Sequence, residues 1–187
     1  LDISKGIKEL DGVSEIHIVA VNNEVKELLW LLKKEGSTKT VIKTVNIRNN
    51  DTQYFKYFLG EVSAPLFSAP KKYLYEPNAA VMKSGAFDII SDRYSIPKLH
   101  QNSHLYTSMK LKEVPGRRFL IKRVYNYNKR DLKEIKAIRK ANISTRNFPE
   151  SVANLRKKLK ITDGGDSYLF FTTDLNNNKI VIDSTKA

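Results

Sequence analysis

The chain has 187 residues, no cysteine, and 33 lysines and arginines against 20 aspartates and glutamates, a net charge of +13. These figures exclude a disulfide-held scaffold, a thiolate metal centre and a cysteine nucleophile, and a cysteine-free chain fits the cytoplasm. No apolar run approaches the ~18–20 residues of a membrane span, and the charged opening LDISKGIKELDG lacks the apolar core of a signal peptide.

Residues 1–47 read as helix, strand, helix, strand. Leu1, Ile3, Ile7 and Leu10 recur at helical spacing, and EIHIVAV (15–21) is a β-branched run short enough for a buried strand. Asn22 or Asn23 then caps a helix with Val25, Leu28, Leu29 and Leu32 on one stripe and Gly36 as its stop, and TKTVIKTVNI (38–47) alternates as a strand. Glu24 and Glu27 fall at the start of that helix, where carboxylates favour the helix dipole or face a ligand at the edge of a parallel sheet. An αβαβ run is the grammar of a parallel doubly wound sheet, and four elements make only part of one. The strand at 15–21 is therefore expected to keep an unpaired edge and an uncovered apolar face, and the chain to dimerise or lose order there.

QYFKYFL (53–59) is a further strand, followed by a loop with Pro65 and Pro70. The stretch 73–94 puts Pro77 in a first helical turn and runs helically from there, with Gly85 as a break between two short helices. From 118 onward the pattern is strand 118–127, helix 130–140, strand 142–147, helix 150–160 and strands 167–173 and 178–183, with TDLNNNK as the last turn. That βαβαββ order makes a compact α+β unit beside the α/β opening.

The charge is confined to this last region. Lys110 to Lys160 holds 17 basic and 4 acidic residues, while the rest of the chain carries 16 of each and is neutral. Such a localised positive field suits a polyanion, because each neutralised phosphate releases condensed counterions, although a basic surface also serves solubility alone. The candidate contacts are Arg117, Arg118, Lys122 and Arg123 on the strand, and Arg130 and Lys133 on the first helix. Arg146 and Phe148 follow in the loop STRNFP (144–149), and Arg156, Lys157, Lys158 and Lys160 lie on the second helix. Arg156 and Lys157 are expected on the solvent side, opposite Leu155 and Leu159. Phe148 suits a base-stacking ring or a core plug equally well.

Other chemistry finds little support. His100 and His104 are four apart but flank polar turn residues with no third ligand, which favours ordinary structural histidines over a zinc site. There is no G-x-S-x-G elbow, and no two glycines stand as G-x-G, so neither a nucleophile elbow nor a glycine-rich phosphate turn can be built.

Four separated stretches carry a resemblance: LDISKGIKEL with EIHIVAVNNEVKELLW (1–30), YLYEPNAAVMKSGAF (73–87), NSHLYTS (102–108) and RNFPESVANLRKKLKITDGGDSYLF (146–170). Together they resemble a group of bacterial class I methyltransferases dependent on S-adenosylmethionine, which end in a ferredoxin-like segment and a THUMP-like domain. The resemblance implies that residues 1–63 are the C-terminal part of a Rossmann-like methyltransferase domain, 64–114 the ferredoxin-like segment and 115–187 the THUMP-like domain. It also implies S-adenosylmethionine as the parent enzyme's cofactor and structured RNA, tRNA included, as a partner. The family's cofactor loop and catalytic motif have no counterpart in these residues. The chain, which opens on Leu1 rather than Met, is expected to be the C-terminal half of an enzyme and inactive without its N-terminal catalytic half. No catalytic, cofactor or metal residue is carried over; Asn22, Asn23 and Glu24 alone stand where such enzymes border the acceptor pocket. The rival reading is a structural or protein-docking module of a methyltransferase acting on a non-RNA substrate.

Overall fold

The computed structural model describes residues 2–34, 39–49 and 51–187, so the assignments made to Leu1, Gly36 and Thr38 lie outside the described residues. The chain opens with helix α1 (Ile3–Glu9), whose first turn is closed by the Asp2 carboxylate accepting from the Ser4 and Lys5 amides. Strands β1 (Val13–Val21), β2 (Glu24–Leu32), β3 (Val41–Arg48) and β4 (Asp51–Phe58) follow. They form one sheet in the order β2-β1-β3-β4.

The helix expected after Asn22 is a strand. Asn22 and Asn23 sit at φ 49° and 67°, the left-handed pair that a type I′ hairpin turn requires, and they fold β2 back onto β1. Asparagine tolerates this conformation, so two residues that also suit a helix cap make a two-residue turn. The stripe of Val25, Leu28, Leu29 and Leu32 fits helical spacing, yet pairing with β1 divides these residues between two faces. Ile16 faces Trp30, Ile18 faces Leu28 and Ala20 faces Val25 across the ladder. The sheet is accordingly mixed: β1 and β3 run parallel, and both outer pairs are antiparallel. The strand at 15–21 is not an edge, since β1 pairs on both sides and the edges are β2 and β4.

One face of this sheet is covered. Ile16, Ile18, Ala20, Ile42, Phe55 and Tyr57 pack there against Ala80, Val81, Ile89 and Ile90 of helices α2 (Ala79–Ser84) and α3 (Phe87–Arg93). Each such fully buried aliphatic side chain is worth about 1.5–3 kcal/mol. Ile3 and Ile7 of α1 join them, and Gly6 lets that helix reach Trp30: a Cβ there would lie 2.3 Å from the indole. The opposite face is bare, with Leu29, Leu31, Tyr54 and Phe58 at 51%, 47%, 69% and 49% exposure. The apolar side chains of strand 15–21 itself, Ile16, Ile18 and Ala20, are buried on the covered face, so that strand has neither the unpaired edge nor the uncovered apolar face expected from the sequence.

Residues 73–77 are extended, so no helix opens at Pro77. They form strand β5 (Tyr73–Pro77), and Pro77 ends a strand where it was read as starting a helix. Asn78 caps α2 by accepting from the Val81 amide, and Gly85, at φ 78°, breaks α2 from α3 as its spacing suggested. Strand β5 enters a second sheet with β6 (Tyr106–Ser108), β7 (Gly116–Asn126), β8 (Asn142–Arg146), β9 (Tyr168–Thr173) and β10 (Lys179–Lys186). The order is β6-β5-β7-β10-β9-β8, with β8 and β9 the parallel pair.

Helices α4 (Lys129–Ile135) and α5 (Val152–Leu159) cover one face of this sheet, completing the βαβαββ unit read from the sequence. Their core joins Ile135, Leu155 and Leu159 to Leu169, Phe171 and Val181. On the other face Leu74, Phe119, Phe170, Ile180 and Ile182 enclose Leu99 and Leu105 of the segment before β6. The sheet is curled tightly enough that Glu76 of β5 and Arg146 of β8, four strands apart in the order, form an ion pair.

Candidate nucleic-acid interface

The helical face of the C-terminal unit presents charge because each helix has one apolar side and firm ends. Asn128 caps α4 by accepting from the Asp131 amide at 2.9 Å, and Ser151 caps α5 by accepting from the Asn154 amide at 3.3 Å. With Leu132, Ile135, Leu155 and Leu159 turned inward, Arg130, Lys133, Lys136, Lys157 and Lys160 are exposed. Lys122 is exposed on β7. Among the described residues Lys122, Lys133, Lys136, Lys157 and Lys160 make no ion pair. Arg130 has only a 3.8 Å contact with Asp131, and its side chain is 90% exposed. These are exposed cations of the kind that exchange counterions for phosphates.

The other basic residues singled out in the sequence are held by partners. Arg117 donates through Nε to Glu76 Oε2 at 2.7 Å, and Arg146 donates through Nη2 to Glu76 Oε1 at 2.8 Å. Glu76 itself is buried, at 3% exposure, so this is a clamp joining β5, β7 and β8. Arg118 pairs with Glu113, and Arg123 pairs with Glu134 at 2.7 Å while lying over the Tyr125 ring. Lys158 reaches Glu150 at 3.0 Å and the Tyr127 hydroxyl at 2.8 Å. Those bonds, that from Tyr127 foremost, raise the Lys158 pKa.

Arg156 corrects the expectation that it faces solvent. Its Nη1 donates to the Ala141 carbonyl at 3.2 Å and its Nη2 pairs with Asp163, fastening the end of α5 to the chain on either side. The αL conformation of Lys160, at φ 57°, turns the chain back and brings Asp163 within reach. Lys157 is exposed as expected. Phe148 meets Tyr127 and Phe171 edge-on, with centroids 4.9 and 5.5 Å away, and packs against the core under α5. The geometry favours the core-plug role.

Asn22 and Asn23 line a pocket of ≈ 200 Å³ at the meeting point of the two sheets, together with Asn46, Arg48, Gln53, Asn78, Gly116 and Arg117. Glu24 does not line it; its carboxylate pairs with Lys26 at 2.8 Å on the exposed side of β2. Asn46, Arg48, Gln53 and Asn78 escaped the sequence reading. The one signal that could have found them is an unusual density of carboxamides at strand ends beside the E-P-N of residues 76–78.

The two histidines separate. His100 is bonded to Asn177 at 3.0 Å and to the Asn102 amide at 3.0 Å, a structural arrangement. His104 stacks on Phe87 at 3.7 Å beside a cleft of ≈ 530 Å³, and its Nδ1 is buried without a partner among the described residues. Desolvation first, then the charges of Lys98 and Arg146, lower its pKa from 6.5 to about 4, so it is neutral near pH 7. The unfolded chain takes up a proton that the folded chain refuses, so stability present above pH 6.5 should be lost as the pH falls towards 4. With the ring only partly buried, the loss expected from equilibrium denaturation is roughly 1–2 kcal/mol. His104→Asn, which tolerates the positive φ of this position, should flatten that pH dependence.

Comparison with known proteins decides what these parts are. Residues 73–115 match the family model of a ferredoxin-like domain, and residues 116–184 match that of a THUMP-like domain. The chain joins a ferredoxin-like to a THUMP-like domain. The basic helical face thus belongs to the THUMP-like domain, and the Glu76 clamp ties the ferredoxin-like strand β5 to it. The whole chain is also similar, at 35% identity and a TM-score of 0.92, to the crystal structure of a proposed methyltransferase from Porphyromonas gingivalis W83. All of this chain aligns with 49% of that one, so it spans about half the relative's length. No curated protein matches the chain. A doubly wound sheet approaches a nucleoside cofactor through a glycine-rich strand-to-helix turn, and the junction from β5 to α2 reads Glu76-Pro77-Asn78 with no glycine, so that turn does not fit S-adenosylmethionine.

Proposed function

We propose that this chain is the RNA-holding portion of an S-adenosylmethionine-dependent methyltransferase. Methyl transfer takes place on a catalytic domain equivalent to the half of the Porphyromonas gingivalis protein that this chain does not span. The observation that carries the reading is the row of exposed cations along α4 and α5 of the THUMP-like domain, from Arg130 and Lys133 to Lys157 and Lys160. Their side chains are long, exposed and free to contact phosphates by position rather than by base sequence, as holding a folded RNA requires. The bare outer face of the first sheet, with Leu29, Leu31, Tyr54 and Phe58, seats the catalytic domain. Structured RNA, tRNA included, is the substrate.

Binding of a fluorescent tRNA to the intact chain tests the reading by comparing two sets of variants. Replacing Arg130, Lys133, Lys157 and Lys160 together with Gln should lower affinity at least tenfold. It should also make the salt dependence shallower by about 0.7–0.9 log units for each phosphate contact removed. Arg123→Gln, which loses a cation already paired with Glu134, should change affinity far less. Equal affinity of the fourfold variant and the parent chain would contradict the assignment and favour a protein-docking role for the THUMP-like domain.

A further inference from the structure

The pocket beside Asn22 and Asn23 has a chemistry that the basic helices do not share. Its walls are fixed by carboxamides: the Asn23 amide donates to Asn46 Oδ1 at 2.9 Å, and the Ala79 amide to Asn23 Oδ1 at 2.8 Å. Asn78 Nδ2 donates to Gln53 Oε1 at 3.0 Å, and Gln53 Nε2 to the Gly116 carbonyl at 3.2 Å. These bonds orient both Asn23 and Asn46 with their oxygens used. Their NH2 groups have no partner among the described residues, although Asn46 is only 1% exposed. Both NH2 groups are thus left to donate to whatever occupies the pocket.

Arg48, exposed at the end of β3 and without an ion pair among the described residues, stands at the same pocket. Arg117 borders it as well, with two of its nitrogens committed to Glu76. The nearby carboxylates do not cancel this charge. Glu76 is saturated by two guanidiniums, and Asp51, which keeps its charge and lines the neighbouring cleft, is outnumbered there by Arg48, Arg117, Arg118 and Lys186. A site of amide and guanidinium donors selects an acceptor-only anion.

The pocket also continues. A neighbouring cleft of ≈ 240 Å³ shares Arg48 and Arg117 with it and runs past Arg118 to Tyr168 and Lys186. Each space is smaller than the ~300–1,000 Å³ of a pocket that encloses a whole small-molecule ligand. The shape suits a chain passing through, with cations at intervals, Lys186 lying over the Tyr168 ring at the far end.

We propose that this cleft binds the sugar-phosphate backbone of a single-stranded RNA segment, one phosphate sitting between Arg48 and the amide groups of Asn23 and Asn46. The proposal rests on the RNA reading above and adds a second station to it, at the junction of the two sheets, where the RNA leaves the basic helices for the face on which the catalytic domain sits.

The test follows the side-chain NH2 signals of Asn23 and Asn46 by NMR in the intact, isotope-labelled chain. A nine-nucleotide single-stranded RNA should shift both. Arg48→Gln, at an exposed strand end, should leave the fold intact and weaken this response roughly fivefold to tenfold, with the salt slope shallower by about one contact. RNA that shifts the signals of α4 and α5 but not those of Asn23 and Asn46, or that binds Arg48→Gln unchanged, would overturn the cleft and leave the helical interface standing. RNA that shifts neither region would overturn both. Shifts at Asn23 and Asn46 with uridine monophosphate or inorganic phosphate, but not with RNA, would mark a free-phosphate site and likewise contradict the proposal.

Discussion

Glu76→Ala should destabilise the fold by about 3–5 kcal/mol, the range for removing one partner from a buried ion pair. The side chain is 4% exposed and its two oxygens receive Arg117 and Arg146, which come from strands on opposite sides of the curled sheet. Without the carboxylate, two like charges are left facing each other and nothing ties β8 back to β5. Both guanidiniums can turn partly to water, at 39% and 37% exposure, which places the expected loss near the lower end of the range. Glu76→Gln keeps the shape and one acceptor oxygen and should fall between the two. Equilibrium denaturation measures all three chains. A loss below about 1 kcal/mol for Glu76→Ala would mean that the clamp is a surface-type ion pair with little net worth.

Phe148→Ala should lower stability by about 2–4 kcal/mol, somewhat less than a fully buried phenylalanine because part of the ring reaches solvent. The ring fills the angle between Tyr127 and Phe171, and its removal leaves a cavity beside the Tyr127 hydroxyl that bonds Glu150. The melting temperature should therefore drop, while the salt slope of RNA binding to the folded variant stays unchanged. An unaltered melting temperature with weaker binding of looped RNA would assign the ring to base stacking instead.

The C-terminal unit was legible because its local signals agree. Asn128 and Ser151 stand where helix caps belong, Leu132, Ile135, Leu155 and Leu159 repeat at helical spacing, and the Asn-rich turn at 176–178 separates two β-branched runs. The opening was misread where the signals conflict. Val25, Leu28, Leu29 and Leu32 satisfy a helical stripe and a two-faced strand alike, and only the turn type adopted by Asn22-Asn23 decides between them. Pro77 was similarly ambiguous between the first turn of a helix and the end of a strand.

The basic residues show a different limit. That Lys110 to Lys160 carries the excess charge is visible in the sequence, but which cations are free is not. Glu76 lies 41 residues from Arg117 and 70 from Arg146, so the pairing that occupies both depends on the curl of the sheet. The junction pocket was half visible for the same reason: Asn22 and Asn23 were singled out, whereas Asn46 and Ala79, 23 and 56 residues further along than Asn23, complete it only in three dimensions.

The central claim is that the THUMP-like domain of this chain holds RNA by its exposed cations. Its most direct test is the affinity of the intact chain for a folded tRNA between 50 and 400 mM salt. Five phosphate contacts, such as Lys122, Arg130, Lys133, Lys157 and Lys160 can make, predict a log–log slope of about −3.5 to −4.5. No measurable binding at the low-salt end, or affinity that does not change with salt, would contradict the account.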